Sequence, residues 1–203
     1  MEITELFPVA ILKHHIDKDM ADTMENKIVP LLDNLDRNTP ILDSVGDEYI
    51  SVDTMYTDFW ENKIPVHEIV PDFWDVVRTA AYEYADQTSY FVNPNFKVRY
   101  WTQNYVKQDR HDIHQHGING ISGTYFIRAN ENAGPIRFYN PNNTAEYVRA
   151  GNPLNKFVQG HHDIWPKKGL LLLFPSYIKH AVESGRNDDV VRTSISFDCC
   201  PGV

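Results

Sequence analysis

Three histidines and one arginine are the residues around which a chemistry can be written for this 203-residue chain. His114 and His116 stand two apart in His111-Asp112-Ile113-His114-Gln115-His116. On an extended strand, side chains two apart point to the same face. Two imidazoles on one face can hold a single metal ion if a third ligand arrives from elsewhere, and imidazole suits iron, zinc, copper or nickel. His180 is the candidate for that third ligand. It follows the apolar run Leu170-Leu171-Leu172-Leu173-Phe174 and the Pro175-Ser176 turn, so a core-facing strand would deliver it to one end of a sandwich. Asp112 offers an alternative. An undistorted strand sets it on the face of His114 and His116, either as the carboxylate of a two-histidine facial triad or as a partner that orients a histidine. His161-His162-Asp163 repeats the H-x-D spacing, but it stands just before the Pro166–Gly169 turn and reads as a loop without a ligand role.

Arg192 lies in Val190-Val191-Arg192-Thr193-Ser194-Ile195-Ser196-Phe197. There Ile195 and Phe197 alternate with Ser194 and Ser196, so Arg192, Ser194 and Ser196 share a face. An inward arginine is costly unless a carboxylate meets it, and its planar fork binds a carboxylate through two hydrogen bonds. An exposed arginine paired with Asp188 or Asp189 is the competing reading.

The elements that must position these residues fall into two parts. In the first, Phe7–Leu12 reads as an opening strand, and Asp17–Leu35 carries apolar residues at helical spacing, with Pro30 expected to end or kink the helix. Residues 43–65 show no clear period. Pro71–Tyr90 is the clearest helix, with Phe73, Val76, Val77, Ala80, Ala81 and Tyr84 forming a stripe that packs against a sheet. From Asn93 the pattern turns to short β-rich runs at 96–105, 121–128, 136–139, 170–174 and 190–197, separated by turn residues. The expected architecture is mainly β with flanking helices: one domain over 1–203, with a strand and supporting helices in 1–92 and a core of two packed sheets in 93–203.

Composition narrows the function classes. The formal net charge is −9 and no Lys/Arg block is present, which argues against a sequence-independent hold on nucleic acid. Hydrophobic residues make up 42%, enough for a packed core. The two cysteines, Cys199 and Cys200, are adjacent, so they read as thiols rather than as a disulfide, which fits a reducing cytoplasm. The N-terminus reads as no signal peptide, and no apolar stretch approaches a membrane span of roughly 20 residues.

The ordered series of motifs resembles the iron(II)- and 2-oxoglutarate-dependent oxygenases, and more narrowly a bacterial and phage branch related to the prolyl hydroxylases. The resemblance covers about residues 99 to 197. It rests on Trp101 and Tyr105, His114-Gln115-His116, Ser122-Gly123-Thr124-Tyr125-Phe126 and Gly134-Pro135-Ile136-Arg137-Phe138, then Gly169 to Ser176, His180, and Arg192 to Phe197. It implies a double-stranded β-helix (jelly-roll) that holds Fe(II) at its open end, with 2-oxoglutarate as cosubstrate. His114 would be the first metal histidine and His180 the distal one. Arg192 would hold the far carboxylate of 2-oxoglutarate, with Ser194 as its hydroxyl partner. Tyr125 would add a hydrogen bond to the cosubstrate, unless register places Phe126 there instead. The chain departs from the wider superfamily at His116, because H-x-H stands where H-x-D is usual. Either His116 completes a three-histidine site or Asp112 supplies the carboxylate.

The implied reaction hydroxylates a substrate C–H bond and releases succinate and CO2. Two rival readings fit the same residues: a cupin-type three-histidine metalloenzyme that does not use 2-oxoglutarate, and a non-enzymatic jelly-roll. The substrate, a protein side chain or a small molecule, is not specified by these residues, nor is the oligomeric state. Tyr49–Trp60 and Asn142–Trp165 are the candidate lids over the open end, since loops on a rigid scaffold carry specificity.

Overall fold

Five successive apolar residues, Leu170 to Phe174, explain the layering of the molecule. In a strand they alternate faces, so a run without polar interruption must be covered on both sides. Leu171 and Leu173 join a core shared with the helices, whereas Leu170, Leu172 and Phe174 join a second core between two sheets. The computed structural model describes residues 9–33, 56–57, 64–89, 95–106, 109–117, 120–141, 160–186 and 189–200.

The larger sheet is antiparallel and contains six strands: β1 (Leu12–His15), β2 (Tyr56–Thr57), β3 (Lys97–Val106), β5 (Ile121–Ala129), β8 (Leu170–Pro175) and β10 (Val191–Cys200), in the order β1-β8-β5-β10-β3-β2. The smaller sheet holds β4 (His111–His114), β6 (Ile136–Tyr139), β7 (His161–Ile164) and β9 (His180–Val182), in the order β4-β9-β6-β7. Two antiparallel sheets with these crossovers form a jelly-roll, the double-stranded β-helix that the resemblance implies.

Helices α1 (Lys18–Asp33) and α3 (Asp72–Thr88), with the single turn α2 (Val66–Ile69), lie on the outer face of the larger sheet. Met24, Ile28, Phe73, Val77 and Tyr84 meet Tyr125, Leu171, Leu173, Ile195 and Phe197 there. Asp17 caps α1, its Oδ1 accepting from the Met20 N–H at 2.9 Å. Pro30 does not end α1, which runs on to Asp33. It occupies the last turn, on the exposed side of the helix.

Of the expected opening strand, residues 7 and 8 lie outside the described residues; among those described, residues 9–11 precede the strand and it begins at Leu12. His161-His162-Asp163 is strand rather than loop: it forms β7, paired with β6. The candidate lids lie outside the described residues except at 56–57 and 160–165.

Candidate metal centre

The site is assembled from the smaller sheet. Strand β4 pairs with β9 so that His114 stands directly opposite His180, and β9 in turn sets His180 opposite Phe138 on β6. His116 lies just beyond β4, held by its backbone N–H donating to the Ser176 carbonyl at 2.9 Å. Gly117 follows with φ +77°, a left-handed turn that a side chain would strain. Ring centroids of His114 and His180 are 4.3 Å apart, those of His116 and His180 5.1 Å, and those of His114 and His116 5.4 Å. One nitrogen from each ring lies within 4.8 Å of the others, so small ring movements bring one ion within reach of all three.

The tautomers are fixed by what each Nδ1 meets. His114 Nδ1 is 2.7 Å from the Asp112 carbonyl, and His180 Nδ1 is 3.0 Å from the Ile178 carbonyl. His116 Nδ1 is 2.7 Å from Oδ1 of Asp198. Carbonyl and carboxylate oxygens only accept, so each Nδ1 carries the proton and each Nε2 presents a lone pair. Burial, with the neighbouring His114 and His116, holds the His180 pKa well below the ordinary imidazole value and keeps that ring in its metal-binding neutral form.

Asp112 is not brought into the cluster. The β4–β9 register shifts between His111 and His114, and such an irregularity breaks the two-residue alternation. The Asp112 carboxylate turns outward, 47% exposed and 3.5 Å from Arg110 Nε, leaving only its carbonyl on His114. His161 and His162 are exposed on β7, and Asp163 is engaged by Arg137 through Nε at 2.7 Å and Nη2 at 2.8 Å.

The interior face of the larger sheet supplies the rest of the cavity. Along β10, the alternation that sends Ile195, Phe197 and Cys199 to the helices sends Arg192, Ser194, Ser196 and Asp198 inward. The three histidines share a cavity with Arg192, Ser196, Trp101, Gln103, Thr124 and Phe174. Ser196 Oγ donates to Gln103 Oε1 at 2.8 Å, and Ser194 Oγ donates to the same oxygen at 3.4 Å.

Arg192 is 2% exposed, and no carboxylate among the described residues pairs with it. Its guanidinium carbon sits 4.8 Å from the Tyr105 ring centroid and 4.9 Å from that of Phe126. Nη1 donates to the Gly134 carbonyl at 3.3 Å, and Nε has no hydrogen-bond partner. Burial pushes its pKa down to about 10.

Tyr125 points the other way. It belongs to the helix-facing core, its ring 5.0 Å from that of Phe73, and its buried hydroxyl has no hydrogen-bond partner. Burial raises its pKa, and the next strongest influences are Glu25, Asp17 and Asp22 on the helical side. On the cavity side the next residue in the strand, Phe126, stands opposite Ser194. Asp198 is the site residue that the sequence reading passed over. The period of two that groups Arg192, Ser194 and Ser196 reaches it at the next inward position.

A sequence-family profile described as "Putative 2OG-Fe(II) oxygenase" matches residues 99–198, just under half of the chain. No curated protein matches the chain. Among solved structures, the chain is similar to a prolyl-4-hydroxylase from Pseudomonas putida at 11% identity and TM-score 0.60, over 94% of this chain and 92% of that one. It is also similar to a prolyl hydroxylase from Trichoplax adhaerens, solved with a hypoxia inducible factor peptide fragment. The identity there is 13% and the TM-score 0.58, over 94% and 83%. HygX from Streptomyces hygroscopicus, solved with nickel and 2-oxoglutarate, is similar at 10% identity and TM-score 0.50, over 94% and 83%.

Proposed function

We propose that the chain belongs to the 2OG-Fe(II) oxygenase superfamily, whose family model matches residues 99–198, and that it is an Fe(II)- and 2-oxoglutarate-dependent dioxygenase that hydroxylates a C–H bond of a protein side chain or small molecule. His114, His116 and His180 are the metal ligands in this reading, each through Nε2. The donor set fits: three imidazoles in their neutral tautomers, with ligand atoms within 4.8 Å of one another, would hold ferrous iron. When bound, iron and 2-oxoglutarate supply the oxygen chemistry, with one oxygen atom going to the substrate hydroxyl and the other to succinate as CO2 leaves.

The observation that carries the reading is Arg192. A fully buried guanidinium without a carboxylate is unfavourable unless a ligand brings the negative charge. Its place in the cavity of the three histidines suits the far carboxylate of a dicarboxylate whose other end reaches the metal. Tyr105 and Phe126 sandwich the fork and exclude water around it, while Gly134 fixes its aim. Ser194, on the neighbouring inward position, is the proposed hydroxyl partner of that carboxylate. A cupin-type metalloenzyme without 2-oxoglutarate uses the three histidines equally well but gives Arg192 no counter-charge.

The test is succinate formation from 2-oxoglutarate under oxygen with added Fe(II). The wild type turns over and His180→Ala does not. Undiminished turnover in His180→Ala would sink the proposal.

A further inference from the structure

One of the three histidines differs from the other two in what holds it. His114 and His180 give their Nδ1 protons to backbone carbonyls, whereas His116 gives its proton to a carboxylate, Asp198 Oδ1, at 2.7 Å. The side chains of His116 and Asp198 are 10% and 6% exposed. No lysine or arginine among the described residues is paired with Asp198, so its charge is met by the His116 imidazole and a single serine hydroxyl. A carboxylate buried in this way is costly unless positive charge is available nearby.

The pair is built into a closed hydrogen-bonded circuit. Ser122 Oγ donates to Asp198 Oδ1 at 2.7 Å. Its proton being used there, Ser122 accepts from Ser176 Oγ at 2.8 Å. The Ser176 carbonyl then accepts the backbone N–H of His116 at 2.9 Å, so the circuit returns to the residue it started from. Every member lies in or beside a strand of one sheet or the other, which makes the ring orientation a property of the scaffold rather than of a loop.

We propose that Asp198 is the positioning residue that supplies, through His116, the negative charge that an H-x-H motif lacks where a carboxylate ligand would otherwise sit. This rests on the reading of His116 as a metal ligand. With Nδ1–H held by a carboxylate, Nε2 is the more basic donor and the ring plane is fixed before the metal arrives. His116 and Asp198 thus act together as one anionic ligand on a divalent cation.

The experiment is a double-mutant cycle of anaerobic Fe(II) affinity, using wild type, Asp198→Asn, His116→Asp and the double variant. Asparagine keeps the shape and an acceptor oxygen but removes the charge. Asp198→Asn is expected to weaken Fe(II) binding by about 10–100-fold, the usual cost of losing a partner of a metal-bound histidine. In the His116→Asp background, where the ligand carries its own charge, the same change is expected to cost nothing or to strengthen binding. Equal losses in both backgrounds, or no loss in either, would overturn the assignment to Asp198.

If the wild type binds no Fe(II), the proposed function itself fails, and the cycle records that separately. Should a variant fail to fold, the Zn(II)-loaded wild type answers the question by proton NMR. One of the three histidine Nδ1–H resonances is expected to lie well downfield of the other two, and three alike would contradict the pairing.

Discussion

The carbonyl of Gly134 is the acceptor that holds the guanidinium of Arg192, 3.3 Å from its Nη1. That carbonyl reaches the arginine only because the chain at 134 runs against the backbone of Glu183, where an added Cβ would lie 1.9 Å from the Glu183 carbonyl oxygen. Backbone cannot give way as a flexible side chain does. Gly134→Ala is therefore expected to shift the segment and loosen Arg192, raising the Kd for 2-oxoglutarate while leaving Fe(II) affinity within a few-fold of wild type. Calorimetry with each ligand in turn checks this, and a selective loss of iron binding would contradict it.

Arg192→Met separates the two roles of a buried cation. Losing the charged fork removes hydrogen bonds of about 1.5–3 kcal/mol, so 2-oxoglutarate binding is expected to weaken by at least tenfold. The apo protein is expected to gain thermal stability, because an uncompensated buried charge is replaced by an apolar side chain of similar length. A variant that loses both stability and ligand would show instead that Arg192 is structural.

Tyr125→Phe is predicted to be silent in the site. The hydroxyl is buried on the helical side and has no hydrogen-bond partner, so its removal costs no bond and relieves a desolvated polar group. An unchanged Kd for 2-oxoglutarate and an unchanged or higher melting temperature are expected. Weakened cosubstrate binding would place the hydroxyl in the site after all.

Arg137 and Asp163 tie β6 to β7, and the arginine holds the Asp163 carboxyl below its ordinary value of 3.8. A depressed acid is more protonated in the unfolded chain than in the folded one at low pH, so stability falls as pH falls. Its contribution is present above pH 3.8 and is lost on descending through the folded value. Asp163→Asn is expected to be less stable than wild type at pH 7, by up to about 1 kcal/mol for a partly exposed pair, and the difference is expected to shrink as pH falls below 3.8. Urea midpoints across that range measure it, and a pH-independent difference would show that packing rather than charge is involved.

Much of this site could be read from residue spacing, because its positions follow the simple periods of strands. The inward grouping of Arg192, Ser194 and Ser196 follows from alternation with Ile195 and Phe197, and β10 keeps that alternation. The joining of His180 to His114 was legible from the apolar run that precedes it, and the two are cross-strand partners. Asp112 shows where the period fails: a register shift within four residues carries no strong sequence signature, yet it turns the carboxylate to solvent. Tyr125 and Phe126 are equally apolar in context, so only the pairing with β10 shows which of them faces the cavity. Short strands such as β9 leave no signature in the sequence, because three residues cannot display a period.

The central claim is that the three histidines and Arg192 form one binding site for iron and 2-oxoglutarate. Anaerobic addition of Fe(II) and then 2-oxoglutarate to the apo protein tests it most directly, followed by visible absorption and repeated with His116→Ala, Asp112→Ala and Arg192→Met. The expected result is a weak visible charge-transfer band that saturates with 2-oxoglutarate, survives Asp112→Ala, disappears in His116→Ala, and requires far more 2-oxoglutarate in Arg192→Met. Iron binding without any such band would contradict the 2-oxoglutarate reading and favour a three-histidine metalloenzyme of another kind. A band that survives His116→Ala but is lost in Asp112→Ala would overturn the ligand set itself.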